Sequence, residues 1–222
     1  KVTEPDVSPL AVQGPRSDDL MAKILGEEIR DLGFFRFKRY NLNSQELIIA
    51  RSGYSKQGGF EIYVDDFSQG EAVWDALFEA GESLDVRAGC PNLIERIESG
   101  LLSFGSDMTN ENTPHESGLS KFCDTRNAIK CVGRDALLKE IENGPWRQIR
   151  SLSIAGPAVP QCRNMWEARE DNIVVGRVSS AVWSPDYQTN VALGMIHRDH
   201  WDPDNILIVE TPDGPREARI MP

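Results

Sequence analysis

E-L-I-I-A-R-S-G-Y-S-K-Q-G-G-F-E-I-Y-V-D, from Glu46 to Asp65, decides the fold: two strand-like runs flank a loop with three glycines in seven residues. The runs Glu46 to Ser52 and Phe60 to Asp65 carry β-branched and aromatic residues, which suit a pleated, half-buried surface. Loop 53–59 has a backbone that a ligand could approach closely, because glycine has no Cβ to hold it off. The two-residue period of a strand puts Phe60 and Ile62 on one face and Glu61 and Tyr63 on the other. One face is therefore fit for a core, and the other presents a carboxylate and a phenol beside the glycines. On composition alone, a solvated strand face is the simpler reading of that polar side.

Working outward, Phe34 to Tyr40 reads as a strand joined to the next by Asn41-Leu42-Asn43-Ser44, which is turn chemistry. Leu10 to Pro15 is a short apolar strand stopped by Gly14-Pro15. Ser17 is the expected N-cap of a helix with Asp18 and Asp19 in its first turn. Leu20, Ile24, Leu25 and Ile29 extend that helix to about Asp31, with Gly33 ending it. On the other side, Gly70 to Ala80 is amphipathic, with Val73, Trp74, Leu77 and Phe78 on one face and Trp74 expected in the core. Pro91 opens a helix carrying Leu93, Ile94, Ile97 and Leu101. Phe104 to Arg126, rich in Gly, Asn, Thr and Asp, is expected to run as a long surface connection. Asp135 to Glu142 is a short helix closed by Gly144-Pro145.

From Trp146 the texture changes. The β-type runs Ile149 to Ile154, Asn172 to Val178, Val191 to Ile196, Ile206 to Glu210 and Glu217 to Met221 alternate with Pro- and Gly-marked turns. Short, evenly spaced strands of this kind suggest a small barrel or sandwich. The expected class is α+β, with a mixed α/β region over residues 1–145 followed by a small antiparallel β-barrel over 146–222.

At 222 residues the chain has material for one large domain or two modest ones. Its 24 basic and 35 acidic residues give a net charge of −11, which repels phosphate backbones and anionic headgroups. Neither a nucleic-acid nor a membrane partner is expected. No apolar run approaches the roughly 18 residues of a spanning helix, and no signal-like start is visible. Cys90, Cys123, Cys131 and Cys162 form no CxxC pair, so reduced thiols and a cytoplasmic location are expected. Cys131, in Lys130-Cys131-Val132-Gly133, is expected to be a buried thiol. His197 and His200, with Asp199 and Asp202, could ligate a metal from a helix. They follow a strand and precede Pro203, which sends them to different sides, and the remaining histidine is His115; no metal is expected. There is no nucleophile elbow, no triad context for Cys90 or Ser103, and no phosphate loop of the dinucleotide or Walker type.

The motifs themselves carry a resemblance. Arg51 to Ile62, R-S-G-Y-S-K-Q-G-G-F-E-I, resembles the R-T-G-Y-T-G-E-D-G-F-E-I signature of the glycine-cleavage T-protein (aminomethyltransferase) family. Leu10 to Pro15 is similar to that family's L-A-L-Q-G-P. Glu98-Ser99-Gly100 and Phe104-Gly105-Ser106-Asp107 stand where it has L-R-L-E-A-G and Y-G-N-D. Val132 to Leu137 resembles F-I-G-R-E-A-L. Gly176 to Ala181, Ser184-Pro185 and Asn190 to Gly194 resemble the terminal domain's G-x-V-T-S-G, S-P and N-I-A-L-A. The departures point to one branch. Lys56-Gln57-Gly58 replaces G-E-D, and Asn92 stands in place of one arginine while Arg96 matches the second. The S-K-Q-G-G and C-P-N-L-I-E-R-I-E-S-G pair is similar to the dimethylsulfoniopropionate demethylase branch.

That resemblance implies a tetrahydrofolate-dependent methyl transfer from a sulfonium to folate N5, giving methylthiopropionate, with tetrahydrofolate as co-substrate and no metal. The aminomethyl carrier of glycine cleavage and a non-catalytic folate-binding module are the alternatives. A sulfonium is held well by aromatic faces, so Tyr54 and Tyr63 are the positioning candidates. Gln57, Glu61, Tyr63 and Arg96 are the candidate folate-binding residues, with Glu61 facing the pterin edge and Arg96 facing a ligand carboxylate. Within its own helix, Arg96 could instead pair with Glu95 or Glu98. The expected partners are tetrahydrofolate and dimethylsulfoniopropionate or a related methylated onium compound, with a homodimer as an open assembly. The start on Lys1 rather than Met, and the lack of the family's aromatic tail after Pro222, lead one to expect a longer protein whose N-terminal segment holds part of the folate site.

Overall fold

A computed structural model describes residues 3–42, 44–127 and 130–222 of the chain. The turn expected at 41–44 includes Asn43, which lies outside the described residues. Two compact units emerge, Lys1–Asn92 and Leu93–Pro222. Residues 93–145 group with the C-terminal strands, whereas the change of sequence texture placed a boundary near 145.

The first unit is a four-stranded antiparallel sheet with helices on its apolar face. Its elements are β1 (Ser8–Gln13), α1 (Ser17–Leu25), β2 (Phe37–Leu42), β3 (Gln45–Ala50), β4 (Gly59–Val64) and α2 (Gly70–Gly81). The strand order is β1-β4-β3-β2. Strand β4 is thus interior, with Glu61 opposite Ala11 on one side and Ala50 on the other. Its burial alternates as the sequence pattern requires: Phe60, Ile62 and Val64 are buried, and Glu61 and Tyr63 only partly so. Leu20, Met21 and Ile29 meet Leu47, Ile49, Phe60, Val73 and Leu77 in one core.

Three local expectations for this unit are corrected. Helix α1 stops at Leu25, because Gly26 adopts φ 94° and leaves the helical region; Glu27–Asp31 continue as a 3-10 turn. Ser17 is not the N-cap. That position falls on Arg16, and the Ser17 hydroxyl donates to the Gly58 carbonyl at 3.4 Å. Trp74 is 40% exposed and stacks on Phe78 at 4.8 Å rather than entering the core. Helix α2 buries the narrow stripe Val73, Leu77 and Gly81, spaced by four, and Trp74 lies about 100° further round the helix.

The second unit holds α3 (Leu93–Glu98), α4 (Arg134–Asn143) and six strands: β5 (Arg147–Ile154), β6 (Trp166–Glu170), β7 (Ile173–Ser184), β8 (Thr189–His197), β9 (Ile206–Thr211) and β10 (Gly214–Ile220). The strands close into an antiparallel barrel in the order β10-β5-β8-β7-β6-β9. Closure leaves no strand edge unpaired, which the polar outer faces alone would not guarantee. Strand β6 is the one the sequence reading missed. It has no apolar run; Trp166 and Ala168 point inward between charged Glu167 and Arg169. Leu152, Ile154, Val178, Ile196, Leu207, Val209 and Ile220 complete the barrel core. Among the described residues, no helix is long and apolar enough to cross a membrane.

Phe104 to Arg126 is not a mere surface connection, since Asp107, His115, Glu116, Ser117 and Thr125 within it are buried. Polar chain can be buried where hydrogen bonds compensate. The Glu116 carboxylate accepts from Asn112 Nδ2, from the Thr113 backbone N–H and from Arg147. All four cysteines are free; Cys131 is exposed, against the burial expected of it, and so is Cys90. Cys162 packs against the barrel core, and burial first, then the Asp107 carboxylate, pushes its thiol up to about 11. Only the thiolate is nucleophilic, and a thiol raised this far is mostly protonated at pH 8. Iodoacetamide at pH 8 is therefore expected to alkylate Cys90 and Cys131 quickly, with Cys162 slower by about a hundredfold until the barrel unfolds, as peptide mapping would read.

Candidate functional site

The glycine loop is organised by a residue the sequence reading did not single out. Gln13 ends β1 opposite Gly59. Its Nε2 donates to the carbonyls of Ser52 and Phe60, both at 3.1 Å, and its Oε1 accepts from Ser55 Oγ at 2.7 Å. A Cβ on Gly53 would lie 2.0 Å from Gln13 Oε1. One on Gly59 would lie 2.3 Å from the Val12 carbonyl and 2.6 Å from Gln13 Nε2. These two glycines make room for the Gln13 side chain, not for a ligand. At Gly58 an added Cβ would meet nothing within 4 Å, so this is the glycine that stands open. The loop is also pinned at that point, because the Gly14 N–H donates to the Gly58 carbonyl at 3.0 Å.

Beside the loop, Glu61 and Tyr63 share the polar face of β4, both partly buried. The Ser52 hydroxyl donates a short hydrogen bond to Glu61 Oε2. Burial, and then the charge of Glu61, raise the phenol pKa of Tyr63 above its ordinary value. Tyr54 and Gln57 lie on the loop itself, Tyr54 38% exposed and Gln57 exposed, with the Gln57 N–H donating to Ser55 Oγ at 3.2 Å. Four of the five candidate residues therefore belong to one strand and the loop feeding it. The arrangement offers a carboxylate, a half-buried phenol and an exposed aromatic ring on a backbone locked by Gln13. Such a set can hold a flat, donor-rich heterocycle and a cationic group.

Arg96 belongs to the second unit. It is 8% exposed on α3, and neither Glu95 nor Glu98 is its ion-pair partner. Its Nη1 donates to Asp107 Oδ2 at 2.7 Å and to the Leu101 carbonyl at 3.2 Å; its Nη2 donates to Ser180 Oγ at 2.6 Å. Asp107 collects further bonds from the Ser103 N–H at 2.8 Å and from the hydroxyls of Ser179 and Ser180, each at 2.6 Å. Two consecutive strand residues reach one carboxylate because β7 is irregular there. The β7–β8 register shifts between Val178 and Ser180, so the alternation of faces is broken at Ser179. Three of the five guanidinium N–H groups of Arg96 are thus used within the unit. The signal for this network was present in the quoted F-G-S-D and V-S-S-A segments, but nothing local said that the two meet.

Among the described residues, no three His, Cys, Asp or Glu side chains are grouped to hold a metal ion. His197 pairs with Asp199, and His200 with Glu170.

Comparison with known proteins fits these observations. Residues 1–127 match the GCVT N-terminal domain, and residues 147–222 match the glycine cleavage T-protein C-terminal barrel domain. The chain belongs to the glycine cleavage T-protein family. It is similar to a protein named dimethylsulfoniopropionate demethylase from Ruegeria pomeroyi, 55% identical over 220 residues, which is 99% of this chain and 60% of that protein. An aminomethyltransferase from Caldanaerobacter subterraneus is 30% identical over 221 residues, 97% of this chain and 57% of that protein. The crystal structure of the glycine cleavage system aminomethyltransferase T from Bartonella henselae shares the fold, with TM-score 0.83 and 23% identity over 96% of this chain and 58% of that one. The chain thus spans about three-fifths of the length of the T-protein relatives it matches.

Two stability measurements follow from these contacts. Gly59→Ala is expected to cost about 2–4 kcal/mol by urea denaturation, because its Cβ meets backbone, while Gly58→Ala stays within about 0.5 kcal/mol. Arg96→Met should cost about 3–5 kcal/mol by leaving a buried carboxylate without its cation. A nearly neutral Arg96→Met would return that guanidinium to the list of ligand-facing groups.

Proposed function

We propose that this chain is part of a tetrahydrofolate-dependent methyltransferase that demethylates dimethylsulfoniopropionate or a closely related methylated onium compound. The products are methylthiopropionate and 5-methyltetrahydrofolate. The observation that carries the reading is the 55% identity to the Ruegeria demethylase across nearly the whole chain, against 30% to the aminomethyltransferase. The geometry of the loop and strand supports it.

Glu61 offers the pterin edge a carboxylate whose Oε2 is oriented by Ser52, while Oε1 accepts no hydrogen bond from the described residues. Tyr63 lies next along the same face, and Gln57 stands on the loop above it. Tyr54 presents an exposed ring of the kind that holds a sulfonium. Tetrahydrofolate supplies the nucleophilic nitrogen. Departure of a neutral thioether makes the sulfonium methyl already reactive, so the protein's task is alignment and exclusion of water. Arg96 serves in this reading by fixing Asp107, not by touching the ligand. Residues 1–145 form the folate-side region and 146–222 the barrel, in a cytoplasmic protein without metal, nucleic-acid or membrane partner; a homodimer is the assembly to test.

The test uses the full-length protein with tetrahydrofolate and, in parallel, dimethylsulfoniopropionate, glycine betaine and a lipoyl-bound aminomethyl donor. Methylthiopropionate and 5-methyltetrahydrofolate should form from the sulfonium alone. Turnover without folate, or only with the aminomethyl donor, would sink the proposal. Glu61→Gln should weaken folate binding by about ten- to a hundredfold, the worth of one or two charge-assisted bonds, with little change in Tm. Normal folate binding with lost stability would make Glu61 a structural residue.

A further inference from the structure

Helix α2 carries two apolar stripes, and the core of the first unit uses one of them. Val73, Leu77 and Gly81 are its buried positions. Phe67, Trp74 and Phe78, spaced by seven and four, form the second. Phe67 lies in the 3-10 turn Phe67–Gln69 that leads into α2 and is 84% exposed. Trp74 is exposed, and Phe78, stacked on it, is partly buried. Single aromatic rings on a surface are ordinary, but three in line at this spacing are the ridge that one helix offers to another.

The flank of this stripe is acidic. Glu71, Asp75 and Glu79 follow one another at four-residue spacing, all exposed, and none of them is in an ion pair with a described residue. Between Lys56 and Arg87 the sequence contains no basic residue. Arg87 pairs with Asp85. Lys23 reaches α2 from α1, but its ammonium donates to the Ala80 carbonyl and the Ser83 hydroxyl. Like charges one turn apart repel, and a cation brought by a partner relieves that repulsion. The charge also narrows the occupant. A second copy of this chain, docked α2 on α2, would set these carboxylates against themselves, and an anionic membrane surface is repelled in the same way. The seven-and-four spacing suits a helix laid along the ridge rather than an extended strand. We propose that the outer face of α2 docks an amphipathic helix of a partner protein, its apolar ridge on Phe67, Trp74 and Phe78 and its flanking lysines or arginines on Glu71, Asp75 and Glu79. The docking face is independent of the methyl-transfer reading, since none of its residues belongs to the glycine loop or to β4.

The probe is a labelled synthetic helix of about 18 residues with leucines at a and d and lysines at e and g, added to the full-length protein. Its twin with glutamate for every lysine is the control. Fluorescence anisotropy should give a Kd below about 100 µM at about 50 mM salt, weakened at least about fivefold at about 300 mM as the ion pairs are screened. Phe67→Ser and Trp74→Ser should each weaken binding about tenfold or more. Asp75→Asn with Glu79→Gln should weaken it and flatten the salt dependence. These side chains are exposed, so Tm should stay within about 2 °C of the parent and methyl transfer should be unchanged. Equal binding of the acidic twin, or binding that both aromatic substitutions leave intact, would overturn the proposal. So would a dimer that Trp74→Ser dissociates, which assigns the face to a second copy. Absence of binding up to about 1 mM in the full-length protein would overturn it as well and leave the face to a segment of its own chain.

Discussion

The carboxamide of Gln13 is the constraint on which the candidate site depends. It bridges the end of one strand and the start of another by donating to the Ser52 and Phe60 carbonyls while accepting from Ser55. Among uncharged side chains only a carboxamide combines two N–H donors with a carbonyl acceptor. Each bond contributes about 1 kcal/mol net, but removing the group would leave partly buried carbonyls without a donor, which costs more than the bonds supply. The placement of the candidate residues in the first unit follows from this anchorage. The loop that carries Tyr54 and Gln57 starts and ends at carbonyls that Gln13 holds, and Glu61 sits one residue beyond the second. Gly53 and Gly59 are the sequence's accommodation of the same group, since any Cβ there would overlap it.

The second unit uses a charged version of the same device. Asp107, buried with no exposed side-chain surface, is surrounded by one guanidinium, one backbone N–H and two hydroxyls. Burying an ion pair is costly unless the remaining lone pairs are met, and here Oδ1 takes both serine hydroxyls while Oδ2 takes Arg96 and the Ser103 N–H. The register shift in β7 is what lets Ser179 and Ser180 both reach it. A hydrophilic segment is thereby tied to barrel strand β7, at its irregular point, by hydrogen bonds.

How much of this was readable beforehand depends on the range over which each signal acts. The alternation in Phe60 to Val64 and the even spacing of runs after Trp146 are local, and they yielded the sheet face and the closed barrel. Strand β6 escaped because its inward positions are just Trp166 and Ala168, separated by charges, and its pairing with β7 and β9 decides its state. Trp74 escaped because hydrophobic spacing does not say how wide a stripe the sheet can cover. The glycines of loop 53–59 were read as space for a ligand, when two of the three are space for Gln13, forty residues or more away in sequence. The Arg96–Asp107–Ser180 cluster spans still more chain.

Arg96 shows what a family resemblance transfers and what it does not. Matching an arginine in a family motif establishes that the residue matters, but a buried guanidinium can matter by holding the fold as easily as by holding a ligand. The distinction lies in its partners. An arginine meant for a ligand keeps its fork toward solvent or a cleft, whereas both terminal nitrogens of Arg96 are already directed at Asp107, Leu101 and Ser180. Asn92, at the motif's other arginine position, has lost the charge altogether. A chain of this branch therefore brings less positive charge from this motif to any anionic ligand than the arginine-bearing pattern would. Asn92, which carries no charge, and Arg96, whose Nη1 and Nη2 bond within the unit, both lower the positive charge that this motif offers.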